Sequence, residues 1–426
     1  MKIHIDIDCF FVSAIRIIDP SLEHKPVAIG GRSDTKIFDA SAKNQTVNFE
    51  NSGSFVPTFF KAYEAKDDDL DSFRDSDGKI RGILTTSSYE ARAYGVKTTM
   101  RIEEALQLCP GLIIKAPNMS LYQELSHKLH EYLMLKIPLI EQASIDEFYG
   151  DLNGWIEDEE VPYFIDTLRH EIKRDLGLPV SIGAAQTRYI AKLATTYAKP
   201  FGSKTIYPWD FDKFINPIKV EDFAGIGKSM CQKLHDAKIY TLGELRSRRG
   251  TVESWGPYAK DLYKRVNGES DAAIQTKRER KSIGISRTIE PLFDRTELRR
   301  RIHVLARHLS FAIMKLDVIP TVFHLSIAYE LHKKSSASIS LAEVFSDKKF
   351  ATICLQLFNE ADTQRRLRVI RLSITAGSFT KHSKKELSLL NFHDEQKMYA
   401  LARSLQILRE KYGIDALKWG GEMLLT

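Results

Sequence analysis

The sequence predicts an α+β chain of several domains, and three patterns carry that reading. Residues 2–8 alternate, with Ile3, Ile5 and Ile7 on one side and Lys2, His4, Asp6 and Asp8 on the other, which is the pattern of a half-buried strand. Leu121, Leu125, Leu129 and Leu133 recur at helical spacing across 119–134. From 282 to 379 the pattern runs strand, helix, strand, strand, helix, strand, a βαββαβ module of the ferredoxin-like kind.

The 426 residues suit about two to four domains. Hydrophobic residues make up 43% and charged residues 28%, an ordinary globular mix. A formal net charge of +6 is mild, so local clusters say more about partners than the total does. Cys9, Cys109, Cys231 and Cys354 lie far apart, and no CxxC or Cys/His pairing is expected. Neither a zinc site nor a disulfide framework is expected, and reduced thiols suit a cytoplasmic protein. No signal peptide and no bilayer-spanning stretch is expected, so no membrane partner is.

A second strand is expected at 26–30. Residues 35–81 mix polar and aromatic residues and then turn acidic in KDDDLDSFRDSDG, which reads as a surface insertion too short for its own core. Ser120 is a candidate cap for the 119–134 helix, and a strand with a tight turn follows at 140–150. Helical patterns occupy 161–176 and 187–198, with the buried strand LPVSIGAAQ between them. A helical region starts near 208 and contains FAGIG at 223–227. KRERK at 277–281 reads as a charged linker. The final module has strands at 282–289, 321–332, 337–345 and 366–379, and helices at 295–316 and 347–360. A last helix at 394–411 precedes a short tail.

Two segments carry chemistry. Asp6 and Asp8 lie at a strand end beside Cys9, Phe10 and Phe11. Asp146 and Glu147 follow Ser144 and Ile145. Neighbours on a strand point to opposite faces, so these two acids can serve one site only at a strand end or hairpin turn. Singly, each segment also reads as solvated surface acid. Together they ask for a cation, because converging carboxylates repel, and Mg²⁺ or Mn²⁺ is the natural partner. Two such ions about 3.5–4 Å apart would suit in-line displacement at phosphorus.

Four segments in order, DIDCFFVSA (6–14), SSYEARAYGVKT (87–98), SIDEFYGDL (144–152) and SIGAAQTRYIAKLATTYAKPFG (181–202), resemble the Y-family of lesion-bypass DNA polymerases. The bacterial DNA polymerase IV and UmuC-like branch is the nearer one. The resemblance implies a right-hand polymerase with palm at 1–18 and 117–207 and fingers at 19–116 carrying the 35–81 insertion. It implies a helical thumb with a helix-hairpin-helix at 208–270, a basic linker at 271–281, a little finger at 282–382 and a C-terminal tail at 383–426.

It further implies that Asp6 and Asp146 bind both metals, that Glu147 completes the site, that the Ile7 carbonyl adds a ligand, and that Asp8 stands behind them. Phe11 would be the steric gate against ribonucleotides, with Phe10 beside it in the nucleotide pocket. Tyr89, Arg92 and Lys199 would contact the triphosphate. Gly225, Gly227 and Lys228 would grip the duplex backbone, and Lys281, Arg287 and the basic run near 364–371 would meet phosphates. Residues 386–392 resemble a sliding-clamp-binding peptide, with Glu386 where that peptide usually has Gln.

The implied function is template-directed addition of dNTPs to a primer 3′-hydroxyl by two-metal-ion catalysis, in translesion synthesis and DNA repair with low fidelity. The implied partners are primer-template DNA and dNTP, and the chain is expected to act as a monomer. The alternatives are a non-catalytic DNA-binding accessory of the same fold and a nucleotide cyclase. The three acids speak against the first; the GIG turn and the βαββαβ module speak against the second.

Overall fold

The computed structural model describes residues 1–33, 35–38, 70–74, 78–277, 279–341, 345–381 and 392–422. Among these, the first compact unit holds residues 1–30 and 70–277, and the second holds 31–38 and 279–422. Most of the 35–81 insertion and most of 386–392 lie outside the described residues.

The first unit begins with β1 (Lys2–Ile7) and α1 (Phe10–Ile18), then β2 (Val27–Gly31), β3 (Ile83–Ser87), α2 (Tyr89–Ala93), α3 (Ile102–Leu108) and β4 (Ile113–Lys115). It continues with α4 (Met119–Met134), β5 (Leu139–Gln142), β6 (Glu147–Asp151), α5 (Val161–Leu176), β7 (Val180–Ala185), α6 (Arg188–Ala198) and β8 (Ser203–Thr205). The main sheet has the order β5-β6-β1-β7-β8, with β1 antiparallel to both neighbours. Ile3, Ile5 and Ile7 join a core with Val12, Leu129 and Ile165.

The sequence suggested a half-buried β1, but all six of its residues are buried. Helix α6 covers the polar side of the strand, so its polar side chains find partners indoors. Lys2 pairs with Asp271, and His4 Nδ1 lies 2.9 Å from Thr195 Oγ1. This close approach needs Gly183, which faces His4 across the sheet. A Cβ there would sit 2.2 Å from the Ala191 carbonyl oxygen and 2.3 Å from the Thr195 nitrogen, both backbone atoms of α6. Gly183→Ala is therefore expected to push α6 off the sheet and lower stability by about 1–3 kcal/mol in urea unfolding. An unchanged midpoint would contradict this packing.

A smaller sheet, β3-β2-β4, packs with α2 and α3 around Ala28, Leu84, Ala91 and Ile102. Five short helices follow: α7 (Phe211–Ile215), α8 (Lys228–Asp236), α9 (Leu242–Ser247), α10 (Arg249–Glu253) and α11 (Pro257–Val266). They share a core of Phe223, Leu234, Leu242 and Leu262. The expected linker is no free tether over its first part. Asp271 takes the Lys2 ammonium and the Arg188 N–H, and the Gln275 N–H reaches the buried Glu141 at 2.8 Å.

The second unit contains β9 (Ser282–Leu292), α12 (Arg295–Lys315), β10 (Val318–Tyr329), β11 (Lys334–Ser340), α13 (Asp347–Ala361), β12 (Val369–Lys381) and α14 (Phe392–Tyr412). The βαββαβ order is the expected one. The sheet order is β11-β10-β12-β9, so the second and fourth strands of the module hold the centre, where a ferredoxin-like sheet puts the first and third. The third strand also starts earlier than the 337–345 expected. The hairpin turns at Leu331 and His332, both at φ 57°, and neither residue looks like the Asn-Gly or Asp-Gly that marks such a turn. The stretch after α14 is anchored: buried Arg307 donates to Glu422 at 2.9 and 3.0 Å and to Asp415 at 2.9 Å.

Candidate active site

Strand pairing and one short turn bring the acids together. Asp6 and Glu147 are direct cross-strand partners, so their side chains leave the same face of the sheet. Asp146 sits just ahead of β6, in the four-residue connection from β5, and its carbonyl accepts the Ile7 N–H at 3.0 Å. The neighbouring acids are thus at a strand end, as their adjacency required. Ser144 Oγ donates to Asp146 Oδ1 at 2.5 Å and accepts the Glu147 N–H at 3.0 Å, which fixes the turn.

The site is already charge-compensated by α6 and the residue that ends it. Lys199 hydrogen-bonds Asp6, and Lys192 reaches both oxygens of Glu147 at 2.5 and 2.6 Å. Lys192 and His4 escaped the sequence reading, although both left a signal there. Lys192, Thr195 and Lys199 form a stripe at helical spacing, and His4 alternates with Asp6 on one strand face. The buried Nε2 of His4 has no hydrogen-bond partner and lies 3.9 Å from a Glu147 oxygen. His4, Asp6 and Glu147 each offer a ligand atom within 4.8 Å of the others.

Burial pushes the Asp6 carboxyl up to about 7 against the pull of Lys199, and Asp146 and Glu147 add to the rise. Burial likewise raises Asp146, opposed by Ser144 and helped by Glu147. For Glu147, burial is outweighed by His4 and Lys192, which hold it at about 2. His4 is itself lowered to about 4 by burial, so its ring is uncharged near neutrality. A divalent ion suits this place: the donors are mostly hard carboxylate oxygens, and two of the three carboxyls resist ionising without added positive charge.

The Asp6 shift has a stability consequence of definite sign. The folded chain keeps a proton that the unfolded chain releases near its ordinary value, so stability from this group is full below about pH 4 and falls as the pH rises to about 7. In chelator-treated protein, Asp6→Asn is expected to gain about 2–3 kcal/mol on wild type between pH 5 and pH 8 by urea unfolding. An equal difference at both pH values would contradict the buried, proton-holding Asp6.

Asp8 is not part of the cluster. It accepts from Ser181 Oγ at 2.9 and 3.0 Å, from the Phe201 N–H at 2.6 Å and from the Tyr89 hydroxyl at 3.2 Å, which ties β1, β7 and α2 together. Cys9, at φ 45°, turns the chain abruptly into α1. Phe11 is half-buried and stacks on Tyr122 with centroids 4.2 Å apart and planes 14° apart. Phe10, expected beside Phe11 in the nucleotide pocket, has its ring buried against Phe11 and Tyr122, with centroids 5.6 and 5.9 Å away. Arg92 donates to the Ser87 carbonyl at 3.0 Å, and its guanidinium lies 4.9 Å from the centre of the Tyr89 ring, so the two share a face of α2.

The expected DNA-contacting residues separate. Gly225 (φ 106°), Gly227 and Lys228 are exposed, with Gly227 capping α8 and the Tyr258 hydroxyl donating to the Gly225 carbonyl. Lys281 is also exposed. Arg287 is not. It falls on the core-facing phase of β9 in register with Leu372, is 7% exposed, and donates to the Ser286 carbonyl. The period-two pleat sends its neighbours outward instead. On that outer face Ser286, Ser373, Ser326 and Ser336 line up across all four strands, beside a row of Thr288, Arg371, Ala328 and Lys334. This row of small hydroxyls was missed because cross-strand register cannot be read from one strand.

The sequence pattern of the impB/mucB/samB family matches residues 5–196, and that of its C-terminal domain matches residues 280–389. A DNA polymerase IV of Shewanella woodyi is 32% identical over 291 residues, 67% of each chain. The chain belongs to the impB/mucB/samB family. These are the Y-family polymerases, and the similarity runs nearly end to end: a DNA polymerase IV of Oceanobacillus iheyensis is 27% identical over 420 residues, 97% of this chain and 90% of that one. A solved Y-family DNA polymerase chimera of Dbh and Dpo4 shares the fold at a TM-score of 0.72 and 21% identity, covering 89% of this chain and 99% of the chimera. DinB from Sulfolobus solfataricus aligns at a TM-score of 0.53 over 88% of this chain and 98% of that one, at 21% identity. Among the described residues no helix is long and apolar enough to cross a membrane.

Proposed function

We propose that Asp6, Asp146 and Glu147 are the catalytic centre of a template-directed polymerase. The chain is a DNA-directed DNA polymerase of the lesion-bypass type, as its family membership and its DNA polymerase IV relatives support. The observation that carries the residue assignment is the meeting of Asp6 with Glu147 across the sheet and with Asp146 at the adjoining turn.

Divalent-metal dependence goes with this family; the finer reading is two Mg²⁺ ions, with Mn²⁺ as a substitute. Asp6 and Asp146 would hold both ions, and Glu147 and the Ile7 carbonyl would complete the ligands. When bound, the ions would neutralise the carboxylates, lower the pKa of the primer 3′-hydroxyl and stabilise the leaving pyrophosphate. Lys199 now rests on Asp6; with that charge taken up, its ammonium can serve the triphosphate beside Arg92 and Tyr89. The Phe11 ring, held by Tyr122, would fill the space a 2′-hydroxyl needs.

DNA would be held by backbone contacts. The 225–227 turn presents N–H groups at the start of α8, and the serine row of the second unit presents donors to a phosphate backbone. The partners are primer-template DNA and dNTP, in keeping with the Dbh neighbour solved as an insertion ternary complex. Action as a monomer and clamp contact through 386–392 belong to the same reading. Extension of a labelled primer with a divalent cation, abolished by chelator and dependent on the template base, tests it. Failure of the wild type to extend any primer would end it.

A further inference from the structure

No Cys/His pairing was expected, yet Cys231 and His235 form one away from the carboxylates. Helix α8 places Cys231 and His235 one turn apart on the same face. Glu221, in the short turn Val220–Asp222 that precedes the GIG segment, arrives at the same spot. Cys231 Sγ lies 3.6 Å from His235 Nε2, and that nitrogen lies 3.9 Å from Glu221 Oε2. One donor atom from each residue lies within 4.8 Å of the other two. The Tyr240 ring packs against the imidazole at 5.1 Å and holds its orientation.

We propose that Glu221, Cys231 and His235 form a binding site for a zinc-class divalent cation. A tetrahedral ion about 2.3 Å from a thiolate and about 2.0–2.1 Å from an imidazole separates those two donors by about 3.6 Å, the spacing already present here. A plain thiol–imidazole hydrogen bond has a similar length. What sets this place apart is the third donor: a carboxylate approaches the same nitrogen that faces the sulfur. One sulfur, one nitrogen and one oxygen select Zn²⁺ or Co²⁺ over Mg²⁺ and Ca²⁺, which prefer all-oxygen sites. His235 and Glu221 side chains are 35% and 46% exposed, so the fourth position is left to water and the ion exchanges freely. The site shares no residue with the carboxylate centre. Its ion would fasten the 220–222 turn to α8, the two flanks of the GIG turn.

Co²⁺ titration of the full-length, metal-free chain tests this optically. The expected result is a thiolate-to-cobalt charge-transfer band in the near ultraviolet, with the strong visible bands of four-coordinate Co²⁺, all displaced by Zn²⁺. Cys231→Ser should lose the charge-transfer band, and Glu221→Gln, a change at an exposed position, should keep it but weaken uptake severalfold. Asp146→Asn should retain the band in full, so this site and the polymerase reading fail separately. Absence of the band in wild type would reduce the cluster to a hydrogen bond. Persistence of the band in Cys231→Ser, or undiminished uptake by Glu221→Gln, would equally overturn the proposal.

Discussion

Asp146→Asn is expected to slow single-turnover nucleotide incorporation by about 10²–10³-fold while leaving primer-template affinity within about twofold. The scale is that of losing one preorganised electrostatic contact to a transition state. The substitution keeps the shape of the side chain, and Ser144 can still donate to the amide oxygen that replaces Oδ1. It also removes one of three crowded negative charges, so the metal-free fold should be no less stable than wild type. That combination separates a catalytic role from a structural one. A merely structural Asp146 would lose stability and activity together; a catalytic one loses rate alone. Measuring incorporation by rapid quench beside thermal unfolding in chelator distinguishes them.

Phe11→Ala is expected to lower the preference for dNTP over rNTP by about 10²-fold or more, read as the ratio of kcat/KM values. The ring is the second residue of α1 and stacks on Tyr122, whose own ring is fully buried, so it is braced where the proposed gate needs it. Truncation opens the space without touching the carboxylates. The lost stack should cost about 1–3 kcal/mol of stability, which a urea midpoint would register independently of selectivity. A selectivity ratio unchanged in Phe11→Ala would show that the sugar is read elsewhere.

Much of this site was legible because its chemistry is local. Asp146 and Glu147 could share a site only at a turn, and the turn is there. Tyr89 and Arg92 share a face because Ser88 caps a helix immediately before them. What escaped depended on non-local contact. Lys192 and His4 matter only because α6 lies across β1, which Gly183 permits. Arg287 looked like a phosphate ligand within a basic run, but the phase of β9 turns it inward. The Cys231–His235 pairing has helical spacing, yet it gains meaning only when Glu221 folds back beside it. The module's strand order was equally hidden, since element order does not specify which strands pair.

The central claim is that Asp6, Asp146 and Glu147 perform template-directed addition to a primer. The most direct measurement is single-dNTP incorporation opposite each of the four template bases, in Mg²⁺, by wild type and Asp146→Asn side by side. Wild type should add chiefly the complementary nucleotide in each case and stop when Mg²⁺ is chelated, and the variant should be slower throughout. Equal rates in the two proteins, or wild-type addition that ignores the template base, would contradict it.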